Sequence, residues 1–262
     1  MIIVSDVHDA PGALRRLVAF DEEIAILGDL VNLTDYRTGE GAVAAVMGQD
    51  FADETSAARG EGDYQRMRAL WFDRARESGD DLRELIGNEL SAQYQAAAEA
   101  LSGGRGLVIH GNVDRPEGLQ AALPPTFRYV HGEVVEREGL SVGFVGGGVE
   151  TPLQAAGEMS DETMSEVLST MAGVDVLCTH VPPAVRALRR DVVTGREERG
   201  SEPLRLFLES SPPRFHFFGD VHQPQATIWR VGRTRCFNAG YFRATGRFLR
   251  LDDGKVHISA VG

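Results

Sequence analysis

Short apolar runs punctuate the chain at residues 2–4, 24–27, 107–110, 142–145, 174–178 and 215–218. Each is too short for a helix and ends near Gly, Asp or His. Continuous apolar runs of this length predict strands buried on both faces. Helical stripes lie between several of them. One runs through Leu14, Leu17 and Val18, another through Met164, Val167, Leu168 and Met171. From Ala226 onward, strand-like runs recur at 227–231, 235–237, 248–251 and 256–259. Alternating β and α units with a β-rich end predict an α/β layered fold.

One stretch breaks the rhythm. Residues from about Tyr36 to Gly103 hold no convincing strand. Leu82, Leu85, Ile86, Leu90, Tyr94, Ala97 and Leu101 trace one helical face, and Tyr64, Met67, Leu70 and Trp71 begin another. The pattern predicts a helical insertion, at about 36–103, within a single domain spanning 1–262. The insertion carries 13 acidic and 7 basic residues, which is half of the net charge of −12.

Composition narrows the classes. Hydrophobic residues make up 42% and charged residues 25%, ordinary for a soluble globular chain. No run of about 18 apolar residues occurs, so no membrane span is expected. The opening Met1-Ile2-Ile3-Val4-Ser5-Asp6 lacks the basic-then-apolar pattern of a secretory signal. Two cysteines, Cys178 and Cys236, without CxxC spacing fit a reducing cytoplasm, with one disulfide left open. The acidic balance argues against broad nucleic-acid binding.

The chemistry sits where the apolar runs end, the place where α/β sheets gather their ligands. Ser5-Asp6-Val7-His8 follows the first run. Gly28-Asp29 follows the second, and Gly111-Asn112-Val113-Asp114 the third. Thr179-His180 and Gly219-Asp220-Val221-His222 follow two later runs. Phe237-Asn238-Ala239-Gly240 is a weaker sixth element that shapes a loop. Each pair alone is commonplace; the order of five together is not. Carboxylate, imidazole and amide donors suit divalent ions such as Mn, Fe or Zn. Arg115, just past the third motif, is a candidate phosphate contact, although Pro116 and Glu117 read as a helix start. No Walker loop or Gly-x-Ser-x-Gly elbow competes with this reading.

The order Asp-x-His, Gly-Asp, Gly-Asn-x-Asp, His, Gly-x-x-His resembles the calcineurin-like metallophosphoesterases. The resemblance covers the chain apart from the insertion. It implies a four-layer αββα sandwich, two packed β-sheets flanked by helices. It implies that Asp6, His8 and His222 hold one metal ion, that Asp29 bridges, and that Asn112, His180 and Asp220 hold a second. Catalytic parts fall to Asp29, Asn112 and His180, with Asn112 also meeting phosphate. The implied activity is hydrolysis of a phosphodiester, or a phosphomonoester, by hydroxide bridging two divalent ions, with Mn preferred and Fe or Zn as alternatives. The implied partner is a small phosphate-ester substrate. A homo-oligomer formed through the insertion is a further expectation, and a non-catalytic binding protein of the same fold is the alternative.

Three positions depart from the family pattern. Val113 stands where many members have His, Asp220 where a His is usual, and Asn32 where Asp is common. Ionised Asp220 would cancel the net positive charge of a two-metal centre and favour harder ions such as Mn.

Overall fold

The computed structural model describes every residue except Tyr36, Arg37 and Thr194. In chain order, the first half runs β1 (Ile2–Val4), α1 (Pro11–Val18), β2 (Glu23–Leu27), α2 (Ala42–Met47), α3 (Gln49–Gly60), α4 (Tyr64–Ser78), α5 (Leu82–Leu101), β3 (Arg105–Ile109), α6 (Pro116–Ala122) and β4 (Phe127–Tyr129). There follow β5 (Glu133–Arg137), β6 (Leu140–Val145), β7 (Gly148–Val149), β8 (Glu158–Met159), α7 (Asp161–Ser169), β9 (Val176–Thr179), α8 (Arg186–Arg189) and α9 (Glu202–Ser210). The chain closes with β10 (Phe215–Phe218), β11 (Ile228–Val231), β12 (Thr234–Asn238), α10 (Phe242–Thr245), β13 (Arg247–Asp252) and β14 (Lys255–Ala260).

These elements build two six-stranded sheets, ordered β14-β13-β1-β2-β3-β4 and β11-β12-β10-β9-β6-β5, and a small β7-β8 pair. β1 to β4 are parallel, as are β6, β9, β10 and β12. Helices cover the outer face of each sheet, so the architecture is the four-layer αββα sandwich.

The two-residue period of a strand assigns its side chains to layers. In β1, Ile2 and Val4 face the helices while Ile3 faces the other sheet. In β2, Ile24 and Ile26 face the helices, and Ala25 and Leu27 face inward. Phe215 and Phe217 of β10 meet Ile3, Leu27 and Ile109 across the inter-sheet core. Each fully buried aliphatic or aromatic side chain there contributes roughly 1.5–3 kcal/mol. Runs buried on both faces are what the continuous apolar segments require.

Local signals set the helix ends. Asp63 and Asp81 cap α4 and α5 by accepting from the amides of Arg66 and of Arg83 and Glu84. Ser160 and Ser201 do the same for α7 and α9. Among the described residues, four helices, α2 to α5, lie between β2 and β3; the expected first residue of the insertion, Tyr36, lies outside the described residues. They divide in two. α5 buries Leu82, Ile86, Leu90, Tyr94, Ala97 and Leu101 against the first sheet's core. α4 buries only Met67, and Phe72 stands exposed on it.

The structure shifts some expected boundaries. The strand expected at 174–178 is Val176–Thr179, because Gly173 turns at φ 85° just before it. β4 and β5 carried no apolar run: their burial patterns alternate, as edge strands do. Leu85, placed on the buried face of α5, is exposed.

Candidate metal centre

The parallel strands of both sheets deliver their carboxyl ends to one edge, and the five motifs meet there. His8 Nε2 lies 3.2 Å from His222 Nε2, 3.5 Å from Asp29 Oδ2 and 3.8 Å from Asp6 Oδ1. His222 Nε2 is 3.5 Å from Asp6 Oδ1. On the other side, His180 Nε2 lies 3.2 Å from Asn112 Oδ1, 3.5 Å from Asp29 Oδ1 and 3.8 Å from Asp220 Oδ1. The structure therefore brings together Asp6, His8, Asp29, Asn112, His180, Asp220 and His222. Asp29 turns one oxygen to each half, and Asp6 belongs to two groups of converging donors, Asp6–His8–His222 and Asp6–Asp29–His180.

The ring tautomers follow from the backbone. His8 Nδ1 faces the Val31 carbonyl at 3.2 Å, and His180 Nδ1 faces the Leu27 carbonyl at 2.7 Å. A carbonyl only accepts, so each Nδ1 donates, and when the ring is neutral, as a metal ligand must be, Nε2 presents its lone pair to the centre. Lone pairs of imidazoles, carboxylates and an amide then point at one another. Such an acceptor-lined hollow fits cations, and the donor set fits divalent ions.

Electrostatics carry the same signature. Burial opposes charge on His180, yet Asp29, Asp220 and Asp6 hold its pKa well above the ordinary histidine range. Burial would raise Asp29, but the charge and hydrogen bond of His180, the charge of His8 and the Val113 amide hold it well below the usual carboxylate range. Burial pushes Asp220 up to about 7, with His180 pulling it down and Asp29 and Asp6 adding to the rise. The Asp220 side chain is 20% exposed, and its backbone amide donates to both Asp6 oxygens at 3.1 Å.

The backbone is strained at the same places. Asp6, His8, Asp29 and Asp220 have φ of 56°, 43°, 54° and 65°, in the left-handed region. Asp and His tolerate this region better than bulky residues, and such strain clusters at functional sites. Gly111 permits the approach of two of these loops: a Cβ on it would run into the Asp29 carboxylate.

Supporting residues complete the centre. Asp114 accepts from the amides of Asp29 and Gly111, each at 2.8 Å, and of Leu30 at 3.1 Å, and from Tyr94 Oη at 3.2 Å. It thus ties the second and third motif loops together; burial and the charge of Asp29 push its pKa up to about 6. Asn238 donates to Val221 O at 3.0 Å and accepts from Gly240, holding the His222 loop. Asn32 is clamped to α5, its amide donating to Gln93 Oε1 at 2.7 Å. Gly148 packs against Asn112, where a Cβ would overlap. His110 is stacked on Tyr129 and hydrogen-bonded to its hydroxyl at 2.7 Å. Arg115 is not brought to the centre. Its amide donates to Tyr94 Oη at 2.8 Å and its guanidinium lies against Gly87 of α5.

Two openings adjoin the centre. A hollow of about 130 Å³ is lined by His8, Asp29, Asn112, Asp220, His222 and Tyr241. A cleft of about 1210 Å³ shares Asn112 and Asp220 with it. Arg59 and Tyr64 of the helical insertion line one side of the cleft, and Thr151 and Arg199 another. Among the described residues, no helix is long and apolar enough to cross a membrane.

No family model and no curated protein matches the sequence. Solved structures match in fold. One aligns over 100% of this chain and 98% of its own, with a TM-score of 0.64 and 15% identity. The protein TT1561 of Thermus thermophilus also aligns over 100% of this chain and 98% of its own, with a TM-score of 0.57 and 15% identity. An archaeal phosphodiesterase aligns over 99% of this chain at a TM-score of 0.42 and 11% identity. The first two share this chain's fold from end to end.

Proposed function

We propose that this protein is a calcineurin-like, metal-dependent phosphoesterase that hydrolyses a phosphodiester at a centre for two divalent ions. The observation that carries the reading is the convergence of seven donor side chains, four of them on residues less than a tenth exposed, with both anchored imidazoles presenting Nε2 inward. Asp6, His8 and His222 would hold one ion, Asn112, His180 and Asp220 the other, with Asp29 between them. Divalent ions held there would supply Lewis-acid charge to draw in phosphate and acidify water.

The chain's own residues position and select. The Val31 and Leu27 carbonyls fix two imidazoles before substrate arrives, which avoids reorganisation during reaction. Val113 offers no proton to a departing alkoxide, so esters with good leaving groups are favoured. The cleft beside Asn112 takes the leaving group, and α3–α4 act as its cap rather than as an oligomer surface. Asp220 favours Mn over Zn.

Metal analysis of the purified protein, combined with an aryl phosphodiester assay, tests the reading. Two bound ions and activity that disappears on chelation are expected. Val113 and Asp220 favour a second reading, a metal-binding but non-catalytic protein. Bound ions without turnover on any aryl diester or monoester would select it.

A further inference from the structure

Three imidazoles reach the centre, and two of them are fixed by backbone carbonyls. Among the described residues, no carbonyl accepts from His222 Nδ1. Its side chain is also the most open of the three, at 25% exposure against 9% for His8 and 0% for His180. Yet its Nε2 lies within 3.5 Å of Asp6 and His8. Something else must orient the ring.

Tyr241 lies flat against it. The ring centroids are 3.8 Å apart and the planes differ by 5°. The same phenol ring meets His8 edge-on, with centroids 5.6 Å apart. Tyr241 is itself 4% exposed and held at both ends. Its hydroxyl donates to Asp35 Oδ2 at 2.7 Å, and Asp35 is itself buried at the entry to the helical insertion. Its chain neighbours are fastened to the first motif loop: Phe242 donates its amide to Ser5 O and Arg243 its amide to Asp6 O. The Arg243 guanidinium bonds the His8 carbonyl and, at 2.8 Å, Glu40 Oε2.

We infer that Tyr241 is the positioning residue for His222, its ring fixing the imidazole plane by stacking and its hydroxyl anchoring that stack to Asp35. A flat face cannot take the Nδ1 proton, but it removes rotation about the last side-chain bond, which is what a carbonyl does for His8 and His180. The inference rests on the metal-centre reading of His222, and it makes the geometry of one half of the centre depend on the first loop of the insertion.

The test is metal titration, not turnover. Mn²⁺ is titrated calorimetrically into chelated wild type, Tyr241→Leu, Tyr241→Phe and His222→Ala, and Co²⁺ absorption reports the ligand field of the same sites. Folding is checked by circular dichroism. His222→Ala should weaken one of the two binding events. Tyr241→Leu should weaken that same event about 10- to 100-fold, the range for groups that orient a ligand, and leave the other unchanged. Tyr241→Phe keeps the stack and should stay within about 3-fold of wild type. Should the Leu variant not fold, the Phe variant, which keeps the ring and loses only the Asp35 anchor, decides: a lost binding event overturns the stacking role. Wild-type affinity in Tyr241→Leu, or equal weakening in Leu and Phe variants, also overturns it. Unchanged binding in His222→Ala would instead overturn the metal-centre reading beneath it.

Discussion

The two halves of the centre are built on different terms. Around Asp6, His8 and His222, two imidazoles share one carboxylate, and the whole group is wedged between the first motif loop and Tyr241. Around Asn112 and His180 there is one imidazole, fully buried and locked to Leu27, and a half-open Asp220 in the place where a second imidazole would complete the symmetry. Asp29 joins them. The difference teaches that this fold fixes one half by packing and the other by charge. The first should therefore be indifferent to small changes in electrostatics, and the second should be governed by them.

The largest effect should come from removing the residue common to both halves. Asp29→Ala is expected to lower aryl diester hydrolysis at least about 10³-fold, the scale of losing the main electrostatic support of a transition state. It should also lower the bound metal measured by atomic emission. Retained metal in one half only would mean the halves are independent.

Next is Asp220. Asp220→His should tighten the second ion about 10-fold and raise turnover, while Asp220→Ala should weaken it. Equal second-site affinity in wild type and both variants, measured by Mn²⁺ titration, would remove charge as the governing term.

The third concerns the tie between the halves' loops. Asp114→Asn replaces an oxygen that accepts from backbone amides with a donor. A cost of about 2–3 kcal/mol is expected from the buried donors left without partners. Urea unfolding of the chelated protein measures it.

A fourth sharpens the contrast between two buried imidazoles on adjacent strands. Burial works against charge on His180, while Asp29, Asp220 and Asp6 raise its pKa. His216 faces Thr179 Oγ1 at 2.9 Å and stacks on Phe218, and burial pushes its pKa down to about 3. The folded protein thus refuses a proton that the unfolded chain accepts below about pH 6.5. Stability contributed by neutral His216 is fully present above about pH 6.5 and is lost as pH falls towards 3, by roughly 5 kcal/mol at most. Urea midpoints across that range should fall less steeply for His216→Phe than for wild type. Parallel slopes would assign the acid sensitivity elsewhere.

The smallest effect should come from Arg115. Its guanidinium packs on α5, so Arg115→Ala should leave the KM for an aryl diester within about twofold while costing no more than about 0.5 kcal/mol of stability. A tenfold rise in KM would return it to the substrate.

Much of this was legible in the order of residues. The strand-end donors are readable because apolar runs end at the edge where the motif residues converge: Asp6 follows β1 and His180 follows β9. The sandwich is readable because β1, β2 and β10 are apolar on both faces. What stayed hidden depends on tertiary placement. Tyr241 follows a loop motif and carries no periodic signal; only its contact with His222 gives it a role. A Cβ on Gly146 or Gly148 would run into His110 or Asn112, a fit that only the folded loops reveal. Arg115 stood as a candidate phosphate contact from its place just past the third motif, but at the start of α6 its guanidinium lies against Gly87. The insertion read as one body, although α5 belongs to the core and α3–α4 to the cleft.

The left-handed backbone at Asp6, His8, Asp29 and Asp220 has a consequence for descent. Few residues rest comfortably there: Gly, Asn, Asp and His. In the genetic code, His and Asp each reach Asn by a single base, Asp reaches Gly the same way, and His and Asp interconvert the same way. Mutation can therefore exchange or silence donors at these four positions without disturbing the loops that carry them. The exchange of histidine for aspartate at Asp220 that the resemblance implies is one such neighbouring step. Lineages built on this backbone can drift between metal preferences, or out of catalysis altogether, while the molecule keeps its shape.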